Sequence, residues 1–480
     1  MNDLNAPLIV DLDGTLTTTD TLVESVFQVL KRSPLQLFQI LVWLFKGRAI
    51  LKAEIASRTT IDPQLLPYRQ DLLAFLLTEK SNGRTIVLAT AAHQSIADAV
   101  AAHLKLFDLV LASDASANLK GVAKLQAIHG AVGPHFVYAG DSYADLPIWQ
   151  AASAAILVGV SPSLAATVRS QVDIEREFEQ PVGHTALAWV RALRLHQWLK
   201  NLLIFVPLLT TFSFTSAGPL GITGLAFLAF SLTASATYLV NDLWDLGSDR
   251  AHPRKRLRPF ACARLPIIQG VPVAATLLAL ALVLGWYISV AFVGILIAYL
   301  IMTSIYSALL KDKVLVDVVM LSVLYTIRIL AGAVAIGVLP SEWLLAFSVF
   351  IFLSLALVKR CSELVSLRSQ GKVSTLGRDY WVDDLVVLWP MGVAAAMSSV
   401  VVFGLFINSA ETHVRYSSPA LLWLVAIVLT YWLGRLWIKT ARGEMHDDPV
   451  IFAAKDQGSQ VAIFVMVMIA VLSRFLTIGT

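Results

Sequence analysis

Apolar runs long enough to cross a lipid bilayer crowd the chain after residue 197 and are missing before it. Nine can be counted, at roughly 197–213, 220–240, 269–288, 291–308, 314–338, 343–358, 385–407, 419–438 and 461–477. A transmembrane helix needs about 20 mostly apolar residues. In lipid every backbone polar group must also be satisfied internally. The reading is an all-α polytopic membrane domain over 197–480, its first run short enough to be tilted or partly re-entrant. Composition agrees: 15% of residues are charged, against about 25% in an ordinary soluble protein. Basic residues alternate between connections. Arg250, Arg254, Lys255, Arg256 and Arg258 follow the second run, Lys311 and Lys313 the fourth, Lys359, Arg360, Arg368, Lys372 and Arg378 the sixth, and Lys439 and Arg442 the eighth. On the other side Arg415 is the exception. The positive-inside rule then puts the N-terminus in the cytoplasm and the C-terminus outside an inner, cytoplasmic membrane. A net charge of +4 does not suggest nucleic acid. Oligomers are compatible with the sequence.

Residues 1–180 read differently. Short apolar strands are expected at 8–11, 85–89, 109–112, 136–139 and 155–159, with helical patterns such as 95–106 between them. That alternation predicts a parallel, Rossmann-like α/β sheet covered by helices. Residues 21–77 look helical and are too long for one crossover, so a helical cap over about 17–80 is expected. Within it, 35–45 is rich in Leu, Ile, Phe and Trp and is followed by Lys46, Arg48 and Lys52. It is too short to span a bilayer; it reads as a buried cap helix or a membrane-surface contact. Residues 181–196 form a linker or amphipathic entry. Met1 to Pro7 carries no basic leader, so a cytoplasmic domain without a signal peptide is expected. Cys262 and Cys361 are far apart, without metal-ligand spacing, and are expected to stay reduced.

Residues 8–15, Leu-Ile-Val-Asp-Leu-Asp-Gly-Thr, send Asp11 and Asp13 to one face at the end of a strand. Ligands bind parallel sheets at such ends. Gly-Asp-Ser-Tyr-Ala-Asp at 140–145 also follows a strand, and Asp141 and Asp145 can supply hard oxygen ligands. Thr90 and Lys120 lie between. In this order the motifs resemble those of the haloacid dehalogenase superfamily: Asp11-Leu-Asp13-Gly-Thr15, Thr90, Lys120, and Gly140-Asp141 through Asp145. The resemblance implies that Asp11 attacks phosphorus and that Asp13 is the general acid and base. It implies that Thr90 and Lys120 hold phosphoryl oxygens, and that Asp11, Asp13, Asp141 and Asp145 hold Mg²⁺. Lys124 is a second candidate for the third motif. An intact Asp13 favours phosphatase over dehalogenase chemistry.

Residues 241–249 read Asn-Asp-Leu-Trp-Asp-Leu-Gly-Ser-Asp. On a helix Asp242, Asp245 and Asp249 share one face, where they would repel one another without a divalent cation. Acids for Mg²⁺ beside bases for phosphate suit a diphosphate site. The motif resembles the UbiA-type prenyltransferase superfamily over about 190–480. Further residues narrow it: Arg194 through Gln197, Trp198, Lys200 and Asn201; Tyr306 with Lys311, then Asp317 and Arg328; and Asp447-Asp448-Pro449. These look like the branch that transfers phosphoribose to decaprenyl phosphate. Aromatic-prenylating members carry a second pair of aspartates four apart; here Asp312 and Asp317 are five apart and interleaved with Lys311 and Lys313.

The resemblance implies a bifunctional membrane enzyme with Mg²⁺ in both domains. Asn241, Asp242, Asp245, Asp249 and Asp317 would serve diphosphate and metal. Lys200, Arg250, Arg254, Lys255, Arg256, Arg258, Tyr306, Lys311, Arg328, Lys359 and Arg360 would bind phosphate. Arg328 could instead pair with Asp317. The partners would be phosphoribosyl diphosphate and a polyprenyl phosphate lipid, with the phosphatase removing the 5-phosphate of the product. The other readings are a prenyl transfer to a ring acceptor with an unrelated phosphatase, and a non-catalytic scaffold.

Overall fold

The computed structural model describes residues 6–33, 35–179, 185–374, 378–445 and 448–477. Asp447 and part of the expected linker, 181–184, lie outside the described residues. The chain divides into two compact units, Met1–Leu193 with Tyr238–Ala274, and Arg194–Thr237 with Ala275–Thr480.

In the first unit six parallel strands form one sheet: β1 (Leu8–Val10), β2 (Ile86–His93), β3 (Leu109–Ser113), β4 (Val137–Gly140), β5 (Ala154–Val158) and β6 (Ile174–Phe178). Their order is β3-β2-β1-β4-β5-β6. The first five match the expected strands. β6 was not foreseen, because its sequence is Ile-Glu-Arg-Glu-Phe. An edge strand can be charged without cost to the core, and Glu175 on β6 pairs with buried Arg84 at 2.6 Å. Central strands are apolar on both faces, as sheets covered on both sides require.

The segment between β1 and β2 forms α1 (Thr21–Arg32), α2 (Gln36–Lys46), α3 (Arg48–Ala56) and α4 (Gln70–Ser81). Asp20 starts α1 by accepting from Val23 N, satisfying one of the donors a helix start leaves open. Helices α1 to α3 share a small core of Val29, Ile40, Trp43, Leu51 and Ile55. In α4, Leu72 and Leu76 instead join Leu8, Val10 and Leu88 in the sheet's core. The cap is therefore α1 to α3. Residues 238–274 belong to the same unit, and a buried pair ties them to the cap. Arg250 donates two hydrogen bonds to Glu24, at 2.8 and 2.7 Å.

Among the described residues eight helices, not nine, are long and apolar enough to cross a membrane. They are Ala217–Trp244, Ile267–Ile288, Val290–Leu310, Val316–Ala335, Glu342–Ser369, Val382–Ile407, Pro419–Ala441 and Gln457–Phe475. The expected first span is instead a 3₁₀ stretch, Leu195–Phe205, followed by the short helix Val206–Thr210. Arg194 enters it in a left-handed conformation. Within it Asn201 and Ile204 are buried, and irregular backbone is tolerated at membrane depth where it packs on protein. The Ile204 carbonyl rests where a side chain at Gly332 would sit. Placing the C-terminus on the far side of the membrane requires that 195–210 crosses as well. Both cysteines are free, as expected, and Cys361 is buried.

Candidate active sites

Asp11 follows β1 and Asp141 follows β4. The two strands are neighbours, with Val10 opposite Ala139, so the register sets the carboxylates side by side. Asp145 completes the group: one oxygen from each of the three lies within 4.8 Å of the others. Gly14 permits this approach. Its φ is +81°, and a Cβ there would run into the Asp141 carboxylate. Burial, then the charges of Asp11 and Asp145, push Asp141 up to about 7. A bound divalent cation reverses that direction. A crowded, oxygen-only donor set of this kind fits Mg²⁺. The Asp13 carboxylate stands outside the trio and accepts from Thr21 N at 2.9 Å. Burial, then Asp20, pushes it up to about 7, which suits a group that gives and takes a proton near neutrality.

The two lysine candidates separate clearly. Lys124 Nζ lies 2.9 Å from Asp11 and 3.5 Å from Asp145. Lys120, favoured by spacing, is exposed, though it lines the same cavity. The reason is local: Lys120 precedes the turn at Gly121, whereas Lys124 faces inward from the helix Val122–Val132 beside Ile128. Asp145 holds Lys124 in place, while its oxygens also accept from Tyr138 OH at 2.8 Å and Ser142 N at 3.2 Å. Thr90 lies inside β2, fully buried, and accepts from Ala92 N at 2.9 Å; Ala91 and Ala92 line the cavity.

That cavity, of about 560 Å³, holds Asp11, Asp13, Lys124 and Asp141 at its base. Its walls come from the cap through Leu44, Arg48 and Lys52, and from Ile268. Lys52 donates to Ala91 O at 2.5 Å and to Asn118 Oδ1 at 2.7 Å. The sequence had marked Lys52 only as part of a basic cluster, because nothing local shows that the cap folds back over β2.

At the end of Ala217–Trp244 the helix breaks at Asp245 and resumes as Leu246–Ala251. The break turns the three expected acids apart. Asp242 and Asp249 stay buried and converge on Arg258 Nη1, at 3.1 and 2.6 Å. Asp245 instead faces Lys31 at 3.4 Å. Asp249 Oδ1 is buried with no hydrogen-bond partner. A buried carboxylate oxygen left so is costly, and a cation between Asp242 and Asp249 would satisfy it. Asn241 is half-buried beside them, and Arg254, Lys255 and Arg256 are exposed. Arg250 is taken up by Glu24 rather than standing open as a phosphate ligand.

In the second unit Lys200 and Lys359 share the Asp448 carboxylate, at 2.7 and 3.5 Å. Burial alone would raise Asp448, but the two ammonium groups hold it below the usual carboxylate range. Asp317 and Arg360 are fully buried and paired at 2.6 Å, and Tyr380 donates to Asp317 at 2.5 Å. Both Asp317 oxygens are thus engaged, which corrects its reading as a metal ligand. Arg360, also bonded to Glu363, is not an open phosphate ligand. Arg328 does not pair with Asp317. It donates to Asn201 Oδ1 at 2.9 Å and to Tyr299 OH at 3.3 Å, under the rings of Phe230 and Tyr325. Tyr306 and Lys311 flank the π-helical turn Tyr306–Leu310.

Comparison with known proteins decides what these arrangements belong to. The UbiA prenyltransferase family matches residues 202–471, more than half of the chain. The chain belongs to the UbiA prenyltransferase family. Ahead of the UbiA domain, residues 8–150 match the haloacid dehalogenase-like hydrolases. Protein y4nM of Sinorhizobium fredii is 40% identical over 463 residues, 95% of this chain and 89% of that protein. Nodulation protein NoeC of Azorhizobium caulinodans is 35% identical over 282 residues, 58% of this chain and 90% of NoeC. Decaprenyl-phosphate phosphoribosyltransferase of Mycolicibacterium smegmatis is 32% identical over 227 residues, 46% of this chain and 70% of that enzyme. The protein is thus a UbiA-type, multi-pass membrane enzyme carrying a hydrolase domain, and its acidic motif and the lysines at Asp448 both fall in residues the family accounts for or adjoins.

Proposed function

We propose that the UbiA domain transfers 5-phosphoribose from phosphoribosyl diphosphate to a polyprenyl phosphate, and that the hydrolase domain removes the 5-phosphate. The observation that carries the first half is the fate of Asp317. Buried against Arg360 and Tyr380, it is held by protein donors, which argues against the second acidic metal site that a prenyl diphosphate donor would favour. Two ammonium groups brought together at Lys200 and Lys359 suit a phosphate instead. Relatives named for phosphoribosyl transfer support the same reading.

In this proposal a phosphate oxygen of the lipid bonds to C1 of the ribose as the C1–O bond to diphosphate breaks. Asp242 and Asp249 hold the diphosphate end, and Lys200 and Lys359 neutralise phosphate, so catalysis is positioning and charge stabilisation. When bound, Mg²⁺ supplies charge compensation at both sites. In the hydrolase, an Asp11 oxygen attacks phosphorus and the ester P–O bond breaks. Asp13 protonates the leaving alcohol, then takes a proton from the water that releases inorganic phosphate. Lys124 holds Asp11 and a phosphoryl oxygen. The hydrolase faces the cytoplasm with the basic connections.

The test is purified protein in lipid with Mg²⁺, phosphoribosyl diphosphate and polyprenyl phosphate, read by mass analysis of the lipid. Lipid-linked ribose is expected; no pentosyl lipid sinks the proposal. A pH profile checks the role of Asp13. Its carboxyl must be protonated to serve the leaving group, and its pKa is raised to about 7. Phosphoryl transfer to Asp11 from a poor leaving group should therefore fall as pH rises through about 7. A flat profile up to the lysine range would remove Asp13 from that role.

A further inference from the structure

The phosphatase unit carries one surface that its chemistry does not use. Of its twelve exposed large apolar residues between 6 and 179, eight fall between Leu35 and Ile50. Helix α2 is apolar over most of its surface, its polar residues being Gln36, Gln39 and Lys46. Ile40 and Trp43 face inward and pack on α1 and α3. Leu37, Phe38, Leu41, Val42, Leu44 and Phe45 face outward, and Phe45 is 90% exposed. A patch of this density on a soluble face marks an interaction surface.

Its surroundings identify the occupant. Lys31, near the end of α1, donates to Trp244 O at 3.0 Å, and Trp244 ends a helix long and apolar enough to cross the membrane. Helix α2 begins a few residues after Lys31, so the chain enters it from a residue held at that helix end. Lys46 and Arg48 are exposed at its other end, the sign of charge that anionic head groups attract. At 11 residues it is too short to span, whereas an apolar face flanked by basic residues suits a helix lying in the head-group layer.

We infer that α2 is a membrane-surface anchor, seated in the head-group layer of the same bilayer the chain spans. Leu44 and Arg48 also line the phosphatase cavity. The anchor thus holds the cavity mouth where a membrane-held phosphate ester presents its head group. The anchoring itself does not depend on which ester that is.

Depth measurement tests it on the full-length chain, in vesicles of phosphatidylethanolamine with a minor share of phosphatidylglycerol. Cys262→Ser and Cys361→Ala clear the background. A nitroxide is then placed at Phe45→Cys, at Phe38→Cys, or at Val122→Cys, exposed on a helix far along the chain from α2. Positions 38 and 45 should collide with dissolved oxygen several-fold more, relative to a water-soluble nickel chelate, than position 122 does. Both side chains are exposed in the protein, so little packing is lost on labelling. A ratio at 38 and 45 equal to that at 122 would overturn the inference. So would shielding from both reagents, which would mean a second copy or a protein partner covers the helix. No substrate enters the measurement, so a wrong substrate for the phosphatase leaves it unaffected.

Discussion

Asp11→Asn should leave pentosyl transfer running and make the 5-phosphorylated lipid accumulate. The carboxylate is the proposed nucleophile, and the amide that replaces it keeps its volume but not its charge. Loss of a covalent nucleophile acts on a scale of roughly 10⁴-fold or more. The fold should tolerate the change, since Leu12 N can still donate to the remaining oxygen, as it does to Asp11 Oδ1 at 2.8 Å. Lys124 loses its nearest counter-charge but keeps Asp145 at 3.5 Å and Tyr138 OH at 2.9 Å. Mass analysis of the lipid after a fixed incubation separates the outcomes. A product lacking the 5-phosphate would show that the domain acts on something else. Loss of pentosyl transfer itself would contradict the division of labour between the two halves.

Asp249→Asn should do the opposite: diphosphate release from phosphoribosyl diphosphate should fall by about 10²–10³-fold, the scale of removing one preorganised charge from a transition state. Hydrolysis of a small soluble phosphate ester should persist. Asp249 is buried, pairs with Arg258 at 2.6 Å and keeps one oxygen without a partner. The substitution removes the charge a metal would need. Asp245→Asn should matter far less, because the helix break turns Asp245 towards Lys31. Transfer at the parental rate in Asp249→Asn would take Asp249 out of the metal site. Equal losses at 245 and 249 would restore the picture of three acids on one helical face.

That picture shows where sequence reasoning stopped. Periodicity located the strands to within a few residues, because strands buried on both faces must be apolar from end to end. It also placed Asp11 and Asp141 at strand ends. It missed β6, whose charged residues read as loop, and it made a span of 197–213, where composition cannot distinguish a regular crossing helix from irregular backbone. Choosing between Lys120 and Lys124 required knowing that the helix begins after Gly121. The basic residues were legible as a group but not one by one. Arg250, Arg360 and Arg328 each turned out to hold a neighbour, and pairing is a property of the tertiary arrangement that spacing along a chain does not encode. Lys52 showed only as one of a basic cluster, and Glu24 carried no local signal at all.

The Glu24–Arg250 pair bears on how such a protein can be taken apart. Composition changes near residue 180, and a cloning boundary drawn there would look natural. It would strand a buried Glu24 without its guanidinium and remove Ile268 from the wall of the hydrolase cavity. An uncompensated buried charge costs about 3–5 kcal/mol, a large part of a small domain's margin. The two halves are therefore poor cassettes: a graft between relatives that keeps both ends of this tie must carry residues 238–274 along with the hydrolase domain, even though the chain visits the membrane in between.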